Sequence, residues 1–394
     1  MIVLVCNIGS TSFKFQLIDM SDESVIARGH IERVGFKNAA WKFLLVANDL
    51  TKGGEGFIKN QREAVKRVLD FLFEDIIVNL SEIDAVGFKT VQAGEKNGSV
   101  LLTDEVIGAM EDYCDLAPAH NPPYLEAIRM FEKLMPDTPL VGVFEPGFHT
   151  GRPEYAQVYG TPYEWYEKYG VRKYGYHGAS LRYVTGKTVR LLDLDPKNHK
   201  VVACHLGGSS SVCAYKDGVA IDTSMGFSPQ SGPIQGARNG DIDPFIIPYI
   251  MEKKGMSMEE AFSELGSNGG LKGLSGTSGD MRDIREAITL GSKQAQLARD
   301  KFIYDIKFYM GAYILLMGGL DVVCFTGGIG QGDAELRAEV LSSLEFLEFK
   351  LNTKANADNM ECINDSDSAI AALVLKTNEE IVVARETVKV IENM

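Results

Sequence analysis

Apolar and polar positions fall into short, sharply bounded blocks along this chain. Residues 2–6 (IVLVC) form an unbroken apolar run, as in a strand buried on both faces. Residues 13–19 (FKFQLID) alternate, as in a half-exposed strand, and residues 25–34 (VIARGHIERV) predict a third. A small polar knot, Asn-Ile-Gly-Ser-Thr-Ser, joins the first two. The same syntax returns half a chain later: VVACHL at 201–206, a Gly/Ser turn, SVCAYK at 211–216, the turn Asp217-Gly218, then VAIDTS. That period is far too long for a solenoid and predicts a duplicated domain, each copy opening with a β-meander.

Helical patterns fill the remainder. Thr103-Asp104-Glu105 starts an amphipathic run, and Asn121-Pro122 predicts a helix with Asn as cap and Pro at the first position. Asp243-Pro244 repeats that device. Ser257 with Glu260, and Thr377 with Glu380, read as capping boxes. A long helix is predicted over 292–317. It feeds DVVCFTGGIG (321–330), a strand running into a glycine turn. Strands alternating with helices predict an α/β chain of two similar lobes with a nucleotide cleft between them. The expected boundaries are an N-terminal lobe of 1–150, completed by a C-terminal helix at about 378–394, and a second lobe of 151–377.

Composition narrows the function. The 394 residues are 45% hydrophobic and 24% charged, which suits an ordinary globular protein. A formal net charge of −14 argues against a nucleic-acid binder, so an anionic ligand needs a local island of positive charge. Six cysteines show no CxxC pair and no zinc-type spacing, and read as small buried apolar residues. The apolar run at 308–320 is too short to span a bilayer, and the first strand leaves no room for a signal peptide. A cytoplasmic setting without membrane or nucleic-acid partners is expected.

Three glycine-rich turns each follow an apolar strand: Gly9-Ser10, Gly207-Gly208-Ser209, and Gly327-Gly328-Ile329-Gly330. Such turns bring backbone N–H groups close to phosphates. None is a Walker A loop or a GxGxxG motif. Arg238, flanked by small residues in Gly-Ala-Arg-Asn-Gly, is free to reach into a cleft, where its fork suits phosphoryl oxygens; a surface salt bridge with Asp241 or Asp243 is the other reading. His177 sits between Tyr176 and Gly178, suited to a cleft or to a satisfied core. Ser10, Ser12 and Lys14 share one face if the second strand has begun by Ser10.

Duplicated lobes with hairpin turns resemble the actin, sugar-kinase and Hsp70 class, with its ribonuclease H-like lobes. Within it, nearly the whole chain resembles the acetate kinases, through NIGSTSFK, HNPP, RKYGYHGAS, DTSMGFSPQSG, GARNGDIDP, GLSGTSGDMRD, FTGGIG and TNEEIVVARET. The resemblance implies transfer of the ATP γ-phosphate to a short-chain carboxylate with Mg2+, in a homodimer formed through the second lobe. It implies catalytic roles for Arg238, His177, His120, Glu145 and Lys89, and metal-side roles for Asn7 and Glu379. It places Ser10, Ser12, Lys14, His205, Gly207, Gly208 and Ser209 at the phosphates. Asp280, Arg282, Gly328, Ile329 and Gly330 fall on the adenosine side. Lys89, Val91, Ala119, Tyr176 and Pro229 fall in the acyl pocket. Several site positions depart from the family pattern. Lys89 replaces an arginine and loses its bidentate fork. Gln92 replaces a histidine, Glu145 an aspartate, Ala119 a leucine and Tyr176 a phenylalanine. The second phosphate turn carries Gly208 instead of an amide side chain, and Gln331-Gly332 replaces Glu-Asn. A roomier pocket is expected, so that a longer carboxylate such as propionate rivals acetate.

Overall fold

The computed structural model describes residues 1–76, 79–117 and 120–394. The chain divides into two compact units, Met1–Thr150 with Asn378–Met394, and Gly151–Thr377.

The first unit is built on a sheet of eight strands: β1 (Ile2–Ile8), β2 (Ser12–Asp19), β3 (Ser24–Glu32), β4 (Ala39–Leu45), β5 (Leu50–Gly56), β6 (Ala85–Thr90), β7 (Ser99–Leu101) and β8 (Leu140–Phe144). They lie in the order β5-β4-β3-β2-β1-β6-β8-β7. β1 pairs antiparallel with β2 and parallel with β6, which pairs parallel with β8. Helices Gln61–Asp75 and Asn121–Leu134 cover one face, where Phe13, Phe15, Phe43, Phe71, Phe88 and Phe131 build the core. Helix Glu379–Glu392 packs against β1, β6 and β8. It comes so close to β6 that a Cβ at Gly87 would lie 2.3 Å from Thr387 Oγ1.

The second unit carries β9 (Lys200–Leu206), β10 (Ser210–Lys216), β11 (Val219–Thr223), β12 (Val322–Thr326) and β13 (Ala371–Val374), in the order β11-β10-β9-β12-β13. Its hand of pairing repeats the first: β9 is antiparallel to β10 and parallel to β12. The five-strand pattern β3-β2-β1-β6-β8 therefore occurs twice, as the repeated meander predicts. Helix Lys293–Met317 buries Ala298, Phe302, Ile306 and Met310 in this core. Each large apolar side chain so buried contributes about 1.5–3 kcal/mol.

Several local expectations need correcting. Helix Asn121–Leu134 includes Asn121, whose buried amide donates to the carbonyls of Gln92 and Met110; His120 holds the cap position without a side-chain cap bond. The helix after Asp243-Pro244 begins only at Ile246, and Asp243 instead accepts from the Phe245 N–H. The last helix is capped by Asn378, which accepts from Ile381 N, and not by Thr377. The glycines after β12 wind into the short helix Gly327–Gly332 and do not form a turn. Ser10 lies before β2, so only Ser12 and Lys14 share a face of that strand. The helix starting after Thr103, the capping box at Ser257 and the long helix starting after Ser292 form as read.

Candidate functional site

In each unit the chemistry-bearing residues collect at the carboxyl ends of the parallel strands, where open α/β sheets bind ligands. In the first unit this follows from strand alternation. Gly87 and Lys89 point from the same face of β6, and Gly87 lets helix Glu379–Glu392 approach so that its first residue, Glu379, meets Lys89. Glu145 follows directly on β8, the neighbour of β6. The Lys89 ammonium thus sits between two carboxylates, 3.1 Å from Glu145 Oε1 and in hydrogen-bond contact with Glu379 Oε2. Burial pushes the Lys89 ammonium toward deprotonation, but Glu145 and Glu379 outweigh it and hold its pKa above the ordinary lysine value. Asn7 follows Cys6, which pairs with Phe88, so Asn7 and Lys89 come next in adjacent strands.

Two carboxylates converging on one position are the hard-oxygen set that Mg2+ takes, water and substrate oxygens completing its shell. A cage of three or more His, Cys, Asp or Glu side chains is absent among the described residues. The donor set therefore fits a substrate-bridged Mg2+ better than a dedicated protein cage, with Lys89 in competition for the same carboxylates.

The first glycine turn is held from below. Gly9 N–H bonds the Ser12 carbonyl at 2.9 Å, and a Cβ on Gly9 would meet Ser12 Oγ at 2.7 Å. Gln61, buried at the start of its helix, donates to the Gly9 carbonyl at 2.9 Å. Tyr124 accepts from Ile8 N–H just ahead of the turn. Neither Gln61 nor Tyr124 stands out in the sequence, because each reads as an ordinary helix residue. Val91 packs against the first core, and Gln92 is buried with its side chain accepting from Gly94 N–H. Ala119 lies outside the described residues.

The second unit holds a cavity of about 760 Å³ walled largely by backbone. Gly207 and Gly208 follow β9, Gly328 and Ile329 follow β12, and Gly236, Gly279, Asp280 and Arg282 are among the other lining residues. The walls touch: Gly236 N–H bonds the Gly208 carbonyl at 3.0 Å, and a Cβ on Gly279 would lie 2.3 Å from the Gly236 carbonyl. No side chain larger than hydrogen fits at Gly279. Gly236 and Gly279 were not singled out by the sequence reading, although GARNG and SGD contain them. Asp280 caps its helix and pairs with Arg282, which holds its carboxyl down at about 2. Gly330 lies one residue behind the lining, and its carbonyl is bonded by Arg337.

Beside this cavity, His177 adopts a left-handed backbone (φ 58°) at the start of helix Gly178–Leu191. Its Nδ1 lies 2.9 Å from Ser211 Oγ, while His205 Nδ1 lies 2.8 Å from Ser180 Oγ. The two imidazoles stack with centroids 4.1 Å apart. Tyr176 is buried and its hydroxyl donates to the Phe227 carbonyl at 2.7 Å, so its proton is not available to a substrate.

Arg238 forms no salt bridge among the described residues. Its Nη1 reaches Ser209 Oγ, Gln235 Oε1 and the Pro229 carbonyl at 3.2–3.3 Å, all uncharged. Asp241 is engaged elsewhere, by Gly232 N–H and the Tyr309 hydroxyl. Burial pulls the Arg238 pKa below its usual value, with no neighbouring carboxylate to offset it. A partly desolvated guanidinium without a counter-charge, one residue from a glycine-walled cavity, has the chemistry to receive an anion.

Comparison with known proteins agrees in extent and in name. The profile of the acetokinase family matches residues 2–385. An acetate kinase of Thermoanaerobacterium thermosaccharolyticum is 42% identical over 405 residues, spanning 100% of this chain and 99% of that one. One from Shouchella clausii is 43% identical, with 98% of each covered. Among solved structures, Porphyromonas gingivalis acetate kinase superposes with a TM-score of 0.90 at 36% identity, covering 99% of both chains. A propionate kinase from Francisella tularensis also reaches 0.90, at 34% identity, covering 98% of this chain and 99% of that one.

Proposed function

Because the chain belongs to the acetokinase family, we propose that it transfers the γ-phosphoryl group of ATP to acetate, giving acetyl phosphate and ADP, and runs the reverse reaction. An acetate oxygen attacks the γ-phosphorus as the bond to the β–γ bridging oxygen breaks. The carboxylate is already anionic, so no proton need move, and catalysis rests on alignment and charge. The observation that carries this reading is Arg238, a half-buried positive charge without a carboxylate partner among the described residues.

The glycine-walled cavity takes the nucleotide. Gly207, Gly208 and Ser209 face the phosphates, and Ser10, Ser12 and Lys14 keep the phosphate role that family membership implies. Asp280, Arg282, Gly328, Ile329 and Gly330 flank the nucleoside. Arg238 meets the charge spread over the transferring phosphoryl oxygens, with His177 and His205 as further hydrogen-bonding groups and His120 as a further catalytic contact. Lys89, Val91 and Pro229 receive the carboxylate, together with Tyr176 as an apolar wall. Glu145 and Glu379, with Asn7, would hold Mg2+, which when bound neutralises phosphoryl charge. The enzyme is cytoplasmic in this reading, with Cys6, Cys204, Cys213 and Cys324 buried as small apolar residues. No helix among the described residues is long and apolar enough to cross a membrane.

Trapping acetyl phosphate as its hydroxamate tests the reading. Wild type should form it from ATP and acetate, and Arg238→Ala should lose about 10²–10³ in kcat with little change in the acetate KM. Near-normal kcat in Arg238→Ala would remove the assigned role. A second reading, propionate as the preferred acceptor, is supported by superposition on a propionate kinase with the same TM-score of 0.90. A kcat/KM series over acetate, propionate and butyrate separates the two, and a tenfold preference for acetate sinks the second.

A further inference from the structure

Arg238 poses a physical problem that the residues assigned so far leave open. A long, charged side chain must be held in one orientation, yet a carboxylate holding it would neutralise the charge it needs for an anion. The holding group therefore has to be a neutral acceptor, itself rigidly fixed.

Gln235 has these properties. It is fully buried, three residues before the arginine. Its Oε1 accepts from Arg238 Nη1 at 3.2 Å and from Ser209 Oγ at 2.9 Å. Its Nε2 donates to the Pro229 carbonyl at 2.8 Å. These partners settle which end of the amide is which, since the reversed amide would set N–H groups against the guanidinium and the serine hydroxyl, and oxygen against a carbonyl. The backbone of Gln235 is fixed too. Its N–H bonds the Arg238 carbonyl at 3.0 Å, and its carbonyl accepts from Leu271 N–H at 2.8 Å. The adjoining Gly270 stands so near that a Cβ there would lie 2.1 Å from the Gln235 carbonyl. Nη2 and Nε of Arg238 make no bond among the described residues, so the holding contacts fall on one side of the fork.

We propose that Gln235 is a positioning residue for this enzyme: one neutral amide that ties Arg238, Ser209 of the phosphate turn and Pro229 of the acyl wall into a single rigid unit, while leaving the guanidinium fully charged. It acts through Arg238 and touches no substrate. The proposal rests on the phosphoryl-transfer reading of Arg238.

Two substitutions probe it from opposite sides. Gln235→Met keeps the length and removes the bonds; Gln235→Glu keeps an acceptor but adds the neutralising charge. The expected result for Gln235→Met is a fall in kcat of about tenfold to a hundredfold, the scale of a misplaced catalytic group, with acetate KM changed less than threefold. Gln235→Glu should fall about a hundredfold or more, approaching loss of the arginine itself. In an Arg238→Ala background, Gln235→Met should change the remaining kcat less than twofold, because the residue it positions is gone. A purely structural role predicts the same fold loss in both backgrounds, and that outcome overturns the proposal. So does a kcat within twofold of wild type for both single variants at unchanged thermal midpoint. If Gln235→Met is too unstable to assay, Gln235→Glu, nearly identical in shape, decides alone by the same criterion. Titration with inorganic phosphate, followed by calorimetry, is read independently of turnover. Gln235→Glu should weaken phosphate binding at least tenfold relative to wild type, and unchanged binding counts against the proposal. A wild type that binds phosphate in an Arg238-dependent way but makes no acyl phosphate defeats the function reading and leaves this test of orientation standing.

Discussion

Lys89 shows how one side chain sets the behaviour of a site. It is 19% exposed and pairs with two carboxylates that are 6% and 16% exposed. Its pKa is raised by them, so the stability of this cluster is fully present below the ordinary lysine value of about 10.4 and is lost only as pH rises through the higher folded value. No loss from this group is expected between pH 6 and 9, which a thermal-midpoint series checks. Lys89→Met should lower the midpoint, since it leaves like charges facing each other. Added Mg2+ should then raise the midpoint of Lys89→Met by more than that of wild type, because the ion takes the vacated place between Glu145 and Glu379. Equal Mg2+ shifts in the two proteins would deny these carboxylates a metal role. Arg238 and His177 stand out in the sequence by residue type and neighbours, and Lys89 only through the family resemblance. That Lys89 bridges both acids was not legible there, because Glu379 lies at the far end of the chain.

At the scale of elements, helix Glu379–Glu392 places its first residue by where it begins. The sequence predicts Thr377 as the cap, with Glu380 three residues on, whereas the structure has Asn378 there. Packing decides between them: Gly87 and Thr387 fix the helix against β6, and Asn378 then stands at the free N–H of Ile381, 3.1 Å away. Asn378→Ala should cost about 0.5–2 kcal/mol in denaturant unfolding and raise the Mg2+ concentration for half activity by fraying the turn that holds Glu379. Glu380→Ala should stay within about 0.5 kcal/mol of wild type. The reverse order of effects would restore Thr377 as the cap. Helix Gly327–Gly332 is a sharper case, since a run of glycines disfavours helix by its own propensity. It forms because Gly327 takes φ 79° and Arg337, fully buried, donates to the carbonyls of Gly330 and Gln331 at 2.8 Å.

For the whole molecule, the notable surface lies on the second unit. Helix Lys293–Met317 is apolar on two faces. One carries the core; the other leaves Leu297, Tyr304, Phe308 and Leu315 from 58% to 82% exposed, at helical spacing. A stripe of this kind is what an isologous dimer covers, and it lies on the second lobe, through which the family resemblance implies a homodimer. Phe308→Asp with Leu315→Asp should convert a particle of about twice 43.2 kDa to one of 43.2 kDa in light scattering. An unchanged mass would place the interface elsewhere, and a wild-type monomer would remove the dimer altogether.

The sequence by itself determined the class, the duplication and the family. These rest on local quantities, namely strand period, turn chemistry and short motifs, and each survives whatever the distant chain does. It also marked Arg238 and the glycine turns, because small neighbours and missing side chains are visible in one dimension. The tertiary structure alone decided which partner each charge has. Lys89 meets Glu379 across 290 positions of sequence, Asp241 turns to Tyr309 and leaves Arg238 without a counter-ion, and the Tyr176 hydroxyl donates to the Phe227 carbonyl. Such pairings depend on which backbone surfaces touch, and buried charges and hydroxyls take whatever acceptor the packing leaves within about 3 Å.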